Sequence, residues 1–275
     1  ANDVLSLVQK SPLDAMLGGS LHDSTSTGTV SGRIKLSLPL ANLDKTKLQG
    51  SVVLNGNDLR VVSELPKLEK AQGTVNFNES GFTITAGAAR MLGGALRIEG
   101  GTRAASAASS EAPISIRVQG TATAQGLQQA VELAPLNKLA QHMSGSTPYT
   151  AVIGFRQGHA EVSINSRLQG LGLNLPAPLV KAPAEELALR MESRLMSGGG
   201  NKPLREQIQL NLGRLLAATY IRDWSGENPR VVQGSLGVGL DRVQAPPLPD
   251  SGVVANMAFQ VFSLDAWQAA WAVTA

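Results

Sequence analysis

The sequence predicts a mainly β protein: an antiparallel hairpin meander with one or two short helices. Three observations predict it. Apolar and polar residues alternate through many short stretches, two neighbouring stretches carry matched sequence, and few segments show the three-to-four-residue apolar spacing of a helix. Composition agrees, because 43% of the 275 residues are hydrophobic and 16% charged, which supplies a core and argues against disorder. A parallel α/β fold would instead alternate continuous apolar strands with helices of about ten or more residues, and that rhythm is missing.

The clearest alternation opens at Val30. VSGRIKLSLPL puts Ile34, Leu36, Leu38 and Leu40 on one face and Arg33, Lys35 and Ser37 on the other. Next come the matched stretches, QGSVVLNGNDLRV from Gln49 to Val61 and QGTVNFNESGFTI from Gln72 to Ile84. Each reads as one hairpin. In the first, Val52 and Leu54 lead into a turn at Asn55, Gly56, Asn57 and Asp58, and Leu59 and Val61 return. Val75, Phe77, Phe82 and Ile84 hold the matching places in the second, so Val52 and Val75 should share a sheet face. The same period returns in Ile114, Ile116 and Val118, in Tyr149, Ala151, Ile153 and Phe155, in Val162 and Ile164, and in Ile208, Leu210 and Leu212. Leu187, Leu189 and Met191 alternate too; strand is preferred there over helix.

Helical spacing is confined to two places. Leu127 to Met143 gathers Leu127, Val131, Leu136, Leu139, Ala140 and Met143 near one side, with Pro135 expected to kink or split it. Asp265 to Val273 should form a short helix capped by Asp265, with Trp267 and Trp271 one turn apart. Thr102–Ala112 and Ser197–Pro203 read as mobile loops and Gln244–Asp250 as a proline-stiffened break. The expected plan is a first β-hairpin module over 1–125, a helical connector over 126–146 and a second β module over 147–275.

Several function classes lack support. Lys and Arg number 24 against 21 Asp and Glu, and aromatic residues make up 4%, a poor footprint for nucleic acid. No apolar run approaches the roughly 20 residues of a membrane-spanning helix. There is no Cys, hence no thiol catalysis or cysteine metal site. His22, His142 and His159 lack metal-ligand spacing, and no nucleophile elbow, Walker loop or complete Gly-x-Gly-x-x-Gly occurs. Glu185 and Glu186 follow a proline-rich turn, where solvated charge is the default. No catalytic residue, metal or cofactor is expected.

The stretch SGSTPYTAVIGF followed by VSINSRLQGLGLNLPAPLVKAPAEELAL resembles the AsmA-like envelope proteins of Gram-negative bacteria, in their YhdP branch. The resemblance is carried by Ser166, Gly170, Leu171, Leu173, Leu175, Pro176, Pro178, Leu179 and Lys181. IKLSLPL, the Gln-Gly strands, FNESGFTI and ARMLGGALRIEG match the family's pattern as well, and SLDAWQAAW resembles its closing element through Asp265 and Trp267.

The resemblance implies an internal piece of a longer periplasmic protein anchored in the inner membrane by a helix outside this chain. It implies a curved, partly open sheet, a β-groove whose apolar face carries phospholipid acyl chains between the membranes and supports the outer-membrane barrier. The expected lining is Ile34, Leu36, Leu38, Val52, Leu54, Leu59, Val61, Val75, Phe77, Phe82 and Ile84. Read from the residues alone, the same aliphatic faces favour a sealed core over an open groove, an order the resemblance reverses, and an envelope interaction module is the alternative function. Envelope protein partners are not identified by the sequence.

Overall fold

The computed structural model describes residues 24–37, 47–61, 65–78, 80–102, 114–134, 136–156, 159–196, 203–226, 229–239, 245–258 and 263–268. Strands take 64% of them, so the mainly β, mostly antiparallel architecture is the observed one. The chain divides into two compact units, one from Ala1–Thr121, Ala130–Leu133 and Val152–Ala160, the other from Ala122–Gln129, Ala134–Ala151 and Glu161–Ala275.

In the first unit β1 (Thr25–Ser26) and β2 (Val30–Ser37) share one edge of β3 (Lys47–Arg60), and β4 (Leu68–Asn78), β5 (Gly81–Met91), β6 (Gly94–Thr102) and β7 (Ile114–Thr123) follow in sequence order. Every pairing among them is antiparallel. Among the described residues the strand order is open and does not return on itself. In the second unit β10 (Leu171–Leu173) pairs β8 (Met143–Arg156), while β9 (His159–Ser166), β11 (Leu189–Met196), β12 (Arg205–Leu212), β13 (Leu216–Asp223) and β14 (Arg230–Val238) run in order. β15 (Gly252–Met257) closes that order with a parallel pairing to β14. The prolines before β15 suit this crossover, which a tight hairpin turn cannot make.

The first matched stretch is not a hairpin. Gln49 to Arg60 runs through as part of β3, and its Asn-Gly-Asn-Asp sequence makes register shifts at Asn55/Asn57 and Asn57/Leu59 instead of a reversal. The reason is Asn57, which is 1% exposed. Its Nδ2 donates to Thr27 O at 2.7 Å and Thr29 O at 3.1 Å, and its Oδ1 accepts from Asn55 N at 2.9 Å. A side chain thus supplies the hydrogen bonds that the gap between β1 and β2 leaves unmade. Gly56, with φ of +93°, takes the left-handed backbone this bulge requires. The second stretch does reverse, between β4 and β5 at Asn78 to Gly81, where Ser80 N donates to Asn78 Oδ1. Val52 and Val75 are direct cross-strand partners and share a face as expected.

The segment expected as one helix over Leu127–Met143 is several short pieces. α1 (Ala124–Gln129) starts three residues early, where Thr123 Oγ1 accepts from Gly126 N at 3.0 Å. A 3-10 turn (Val131–Leu133), α2 (Leu136–Leu139) and a second 3-10 turn (Ala140–His142) follow. Pro135 lies outside the described residues. Met143 opens β8, and Ser144 to Ser146, at the end of the expected helical connector, are paired strand: Gly145 faces Leu171. Near the end, residues 264–268 are helical, and the cap is Ser263 instead of Asp265, its Oγ accepting from Ala266 N at 3.3 Å. Trp271, Leu38, Leu40 and residues 103–113 and 197–202 lie outside the described residues, while Thr102, expected in a loop, ends β6.

Candidate functional site

Direct partners in an antiparallel ladder point to the same side, so register alone assembles the first unit's faces. Leu36 lies opposite Leu48, Ile34 opposite Gly50 and Val30 opposite Leu54. Across β3, Gly50 meets Phe77 and Val52 meets Val75; across the next turn Phe77 meets Phe82 and Val75 meets Ile84. Seven expected lining residues besides Ile84 are therefore one row set: Ile34, Leu36, Val52, Leu54, Val75, Phe77 and Phe82. The face continues where the sequence reading did not follow it. Ile84 pairs Gly100, a bulge in β5 keeps the phase, and Ala89, Leu96, Ile98, Ile116 and Val118 carry the apolar surface to β7.

The opposite face is mostly polar, interrupted by Val53 between Ser31 and Thr74. Arg33, Ser51, Asn76 and Thr83 form one cross-strand row, and Lys35, Gln49 and Asn78 the next. Such one-sided partition is what a sheet needs to keep one surface in water and offer the other to apolar matter.

Packing on the apolar face is side by side. Val52 and Phe77 are 8% and 6% exposed, and the partners packed against them are Val30, Leu48, Leu54 and Phe82, all from the same face of β2 to β5. No residue of a facing layer belongs to that cluster among the described residues. Toward the edge the cover thins, and Ile34 and Leu36 stand 41% and 55% exposed. Gly50 makes the centre dense: a Cβ there would meet Phe77 Cζ at 2.4 Å, so the ring lies over the glycine. Leu59 and Val61 are half-buried beyond the two register shifts and fall outside this row set. Leu38 lies outside the described residues.

The family-motif residues build a separate structure in the second unit. Leu171 and Leu173 are buried in β10 against Leu168 and Ala124, with Met143, Leu187, Leu189 and Leu212 around them. Gly170 has φ of +90° and a Cβ there would lie 2.4 Å from Ser146 O. Its amide donates to Pro183 O at 2.8 Å. Lys181 is 4% exposed and its Nζ donates to Leu171 O at 2.7 Å and Ala182 O at 3.0 Å, while its backbone pairs with Leu173. Burial pushes its pKa down, with Glu185 opposing. This lysine straps the loop bearing half-buried Leu175, Pro176 and Pro178 onto β10. Asp265 is exposed and Trp267 half-buried in the last helical turn.

The second unit has an apolar face of its own. Leu189, Met191 and Leu195 share it with Ile208, Leu210 and Leu212, then Leu216 and Ala218, then Leu236 and Val238. An ion pair interrupts it at one end. Glu206, 6% exposed, receives Arg222 Nε at 2.9 Å and Nη2 at 2.6 Å, Trp224 Nε1 at 3.2 Å, and the Ser193 hydroxyl on its other oxygen. The guanidinium sits 5.3 Å from the Trp224 ring centre. The signal was in the sequence, since Glu206 occupies the apolar phase of Ile208, Leu210 and Leu212.

Among the described residues no His, Asp and Glu group could hold a metal, and no helix is long and apolar enough to cross a membrane. Fold and faces together define a class: an open, mostly antiparallel sheet architecture in which one surface is largely apolar. The family described as YhdP protein matches residues 1–275, and the chain belongs to that family. No curated protein and no solved structure matches the chain.

Proposed function

We propose that this chain is a segment of a periplasmic bridge-like protein that carries phospholipid between the inner and outer membranes along an apolar β-groove, supporting the outer-membrane barrier. The observation that carries the reading is the first unit's aliphatic face, whose buried centre packs, among the described residues, against neighbours of the same face, and on which Ile34 and Leu36 stand exposed. Membership of the YhdP family supports the envelope setting. The mechanism is passive shielding. Each methylene taken out of water contributes about 0.8 kcal/mol, so a 16-carbon chain laid on such a face gains on the order of 10 kcal/mol without polar recognition. The segment is non-catalytic, uses no cofactor, and meets the membrane through other parts of the full-length protein. Native mass spectrometry of protein purified from cells tests this: co-purifying phospholipid supports it, and a lipid-free mass with intact fold contradicts it.

A second reading, an interaction module of the envelope, has one observation in its favour. Among the described residues β15 ends the second unit's strand order, and Val253 and Met257 on it are 69% and 53% exposed. A terminal strand of that kind accepts a further strand. A tight protein partner, with no lipid in the same preparation, would favour this reading over the first.

A further inference from the structure

We propose that the polar face of the first unit holds a binding site for a phosphate-bearing, hydroxyl-rich ligand, separate from the apolar face on the other side of the same sheet. The site is a hollow of about 780 Å³ spanning the ends of β2 to β5. That size lies within the range of small-molecule sites. Its walls are Arg33 and Lys35 from β2, Gln49 and Ser51 from β3, Asn76 and Asn78 from β4, and Ser80 and Thr83 beyond the turn. Gly50, Phe77 and Phe82 also touch it, but by register their side chains belong to the other face, so they contribute floor.

The chemistry of the wall selects the ligand. Two cations two residues apart on one strand face the same way. An anion is the complement. Exposed cations alone bind weakly, because water and salt screen them, so a ligand must add hydrogen bonds to be held. The wall offers both senses. Asn78 Oδ1 accepts from Ser80 N at 2.8 Å, which turns its amide NH2 outward as a donor. Asn76 donates through Nδ2 to Thr85 Oγ1 at 3.3 Å, which presents its carbonyl oxygen as an acceptor for a hydroxyl. Edge charges on β2 also discourage stray strand pairing. That role explains a Lys or Arg on an edge strand, but not two cations facing amides and hydroxyls across a concavity four strands wide.

Phosphate on a polyol can be carried by a soluble sugar phosphate or by a glycerophospholipid head. The test titrates the chain with glycerol 3-phosphate and, separately, with phosphatidylglycerol vesicles, following backbone amide NMR shifts. Glycerol without phosphate is the control, and Arg33→Gln/Lys35→Gln is the variant. Both substituted residues are exposed, so the variant keeps its fold. The site predicts shifts clustered at Arg33, Ser51, Asn76 and Thr83 and affinity about tenfold weaker in the variant. Binding of the soluble probe assigns a free phosphopolyol; binding of vesicles alone assigns a lipid head. No clustered shift with either probe, or equal affinity in the variant, overturns the proposal. Substituting Leu54 and Val75 on the apolar face leaves these shifts in place, so failure here is distinguishable from failure of the lipid-groove reading.

Discussion

Two buried polar side chains set the clearest residue-scale expectations. Tyr149 is 9% exposed, its hydroxyl has no hydrogen-bond partner among the described residues, and burial pushes its phenol up to about 12 from 10.0. The folded state therefore keeps a proton that the unfolded chain loses above pH 10. Stability from this group is complete below pH 10 and is lost as pH rises through 12, a total of about 3 kcal/mol. Tyr149→Phe should unfold in urea like the parent at pH 7 and lack this share of the alkaline loss. Glu206 is the second case. Arg222→Met leaves its carboxylate buried without its cation, at a cost of about 3–5 kcal/mol. Adding Glu206→Leu should recover most of that in the same urea titration, because the neighbouring surface is already aliphatic.

At the scale of elements, alternation made most strands legible because a half-buried strand writes its two faces directly into the sequence. Ile34 and Leu36 against Arg33 and Lys35, or Ile208 and Leu210 between polar residues, required no tertiary information. What stayed hidden were decisions made by a distant partner. Asn-Gly after Val52 and Leu54 is a strong local turn signal, yet Thr27 and Thr29 carbonyls hold Asn57 and keep the strand extended. Helix formers from Leu127 to Met143 could not reveal that Met143 pairs with Leu173 in β8 and β10. The apolar row was found in β2 to β5 and not followed to Ala89, Leu96 and Val118, because the β5 bulge breaks the visible period. Asn57→Leu should accordingly cost about 1–3 kcal/mol, the penalty for removing the buried amide that binds the Thr27 and Thr29 carbonyls, measured by thermal unfolding. Gly50→Val should cost a similar about 1–3 kcal/mol by displacing the Phe77 ring, and Phe77→Ala in the same chain should relieve the overcrowding.

For the whole molecule the question is whether the aliphatic face of the first unit is a path or a sealed core. Leu54 and Val75 decide it, since both are half-buried and both point to that face. In the intact parent protein, Leu54→Asp with Val75→Asp puts charge where an acyl chain would lie, and an unpaired carboxylate there repels apolar matter strongly. On an open face the carboxylates reach water and the fold persists. In a sealed core they stay buried and the unit loses several kcal/mol. Photo-crosslinking of lipid at this face, read beside thermal unfolding of the same double variant, separates the two. The groove predicts near-parental melting with crosslinking lost; collapsed melting, or unchanged crosslinking in a stably folded variant, would contradict it.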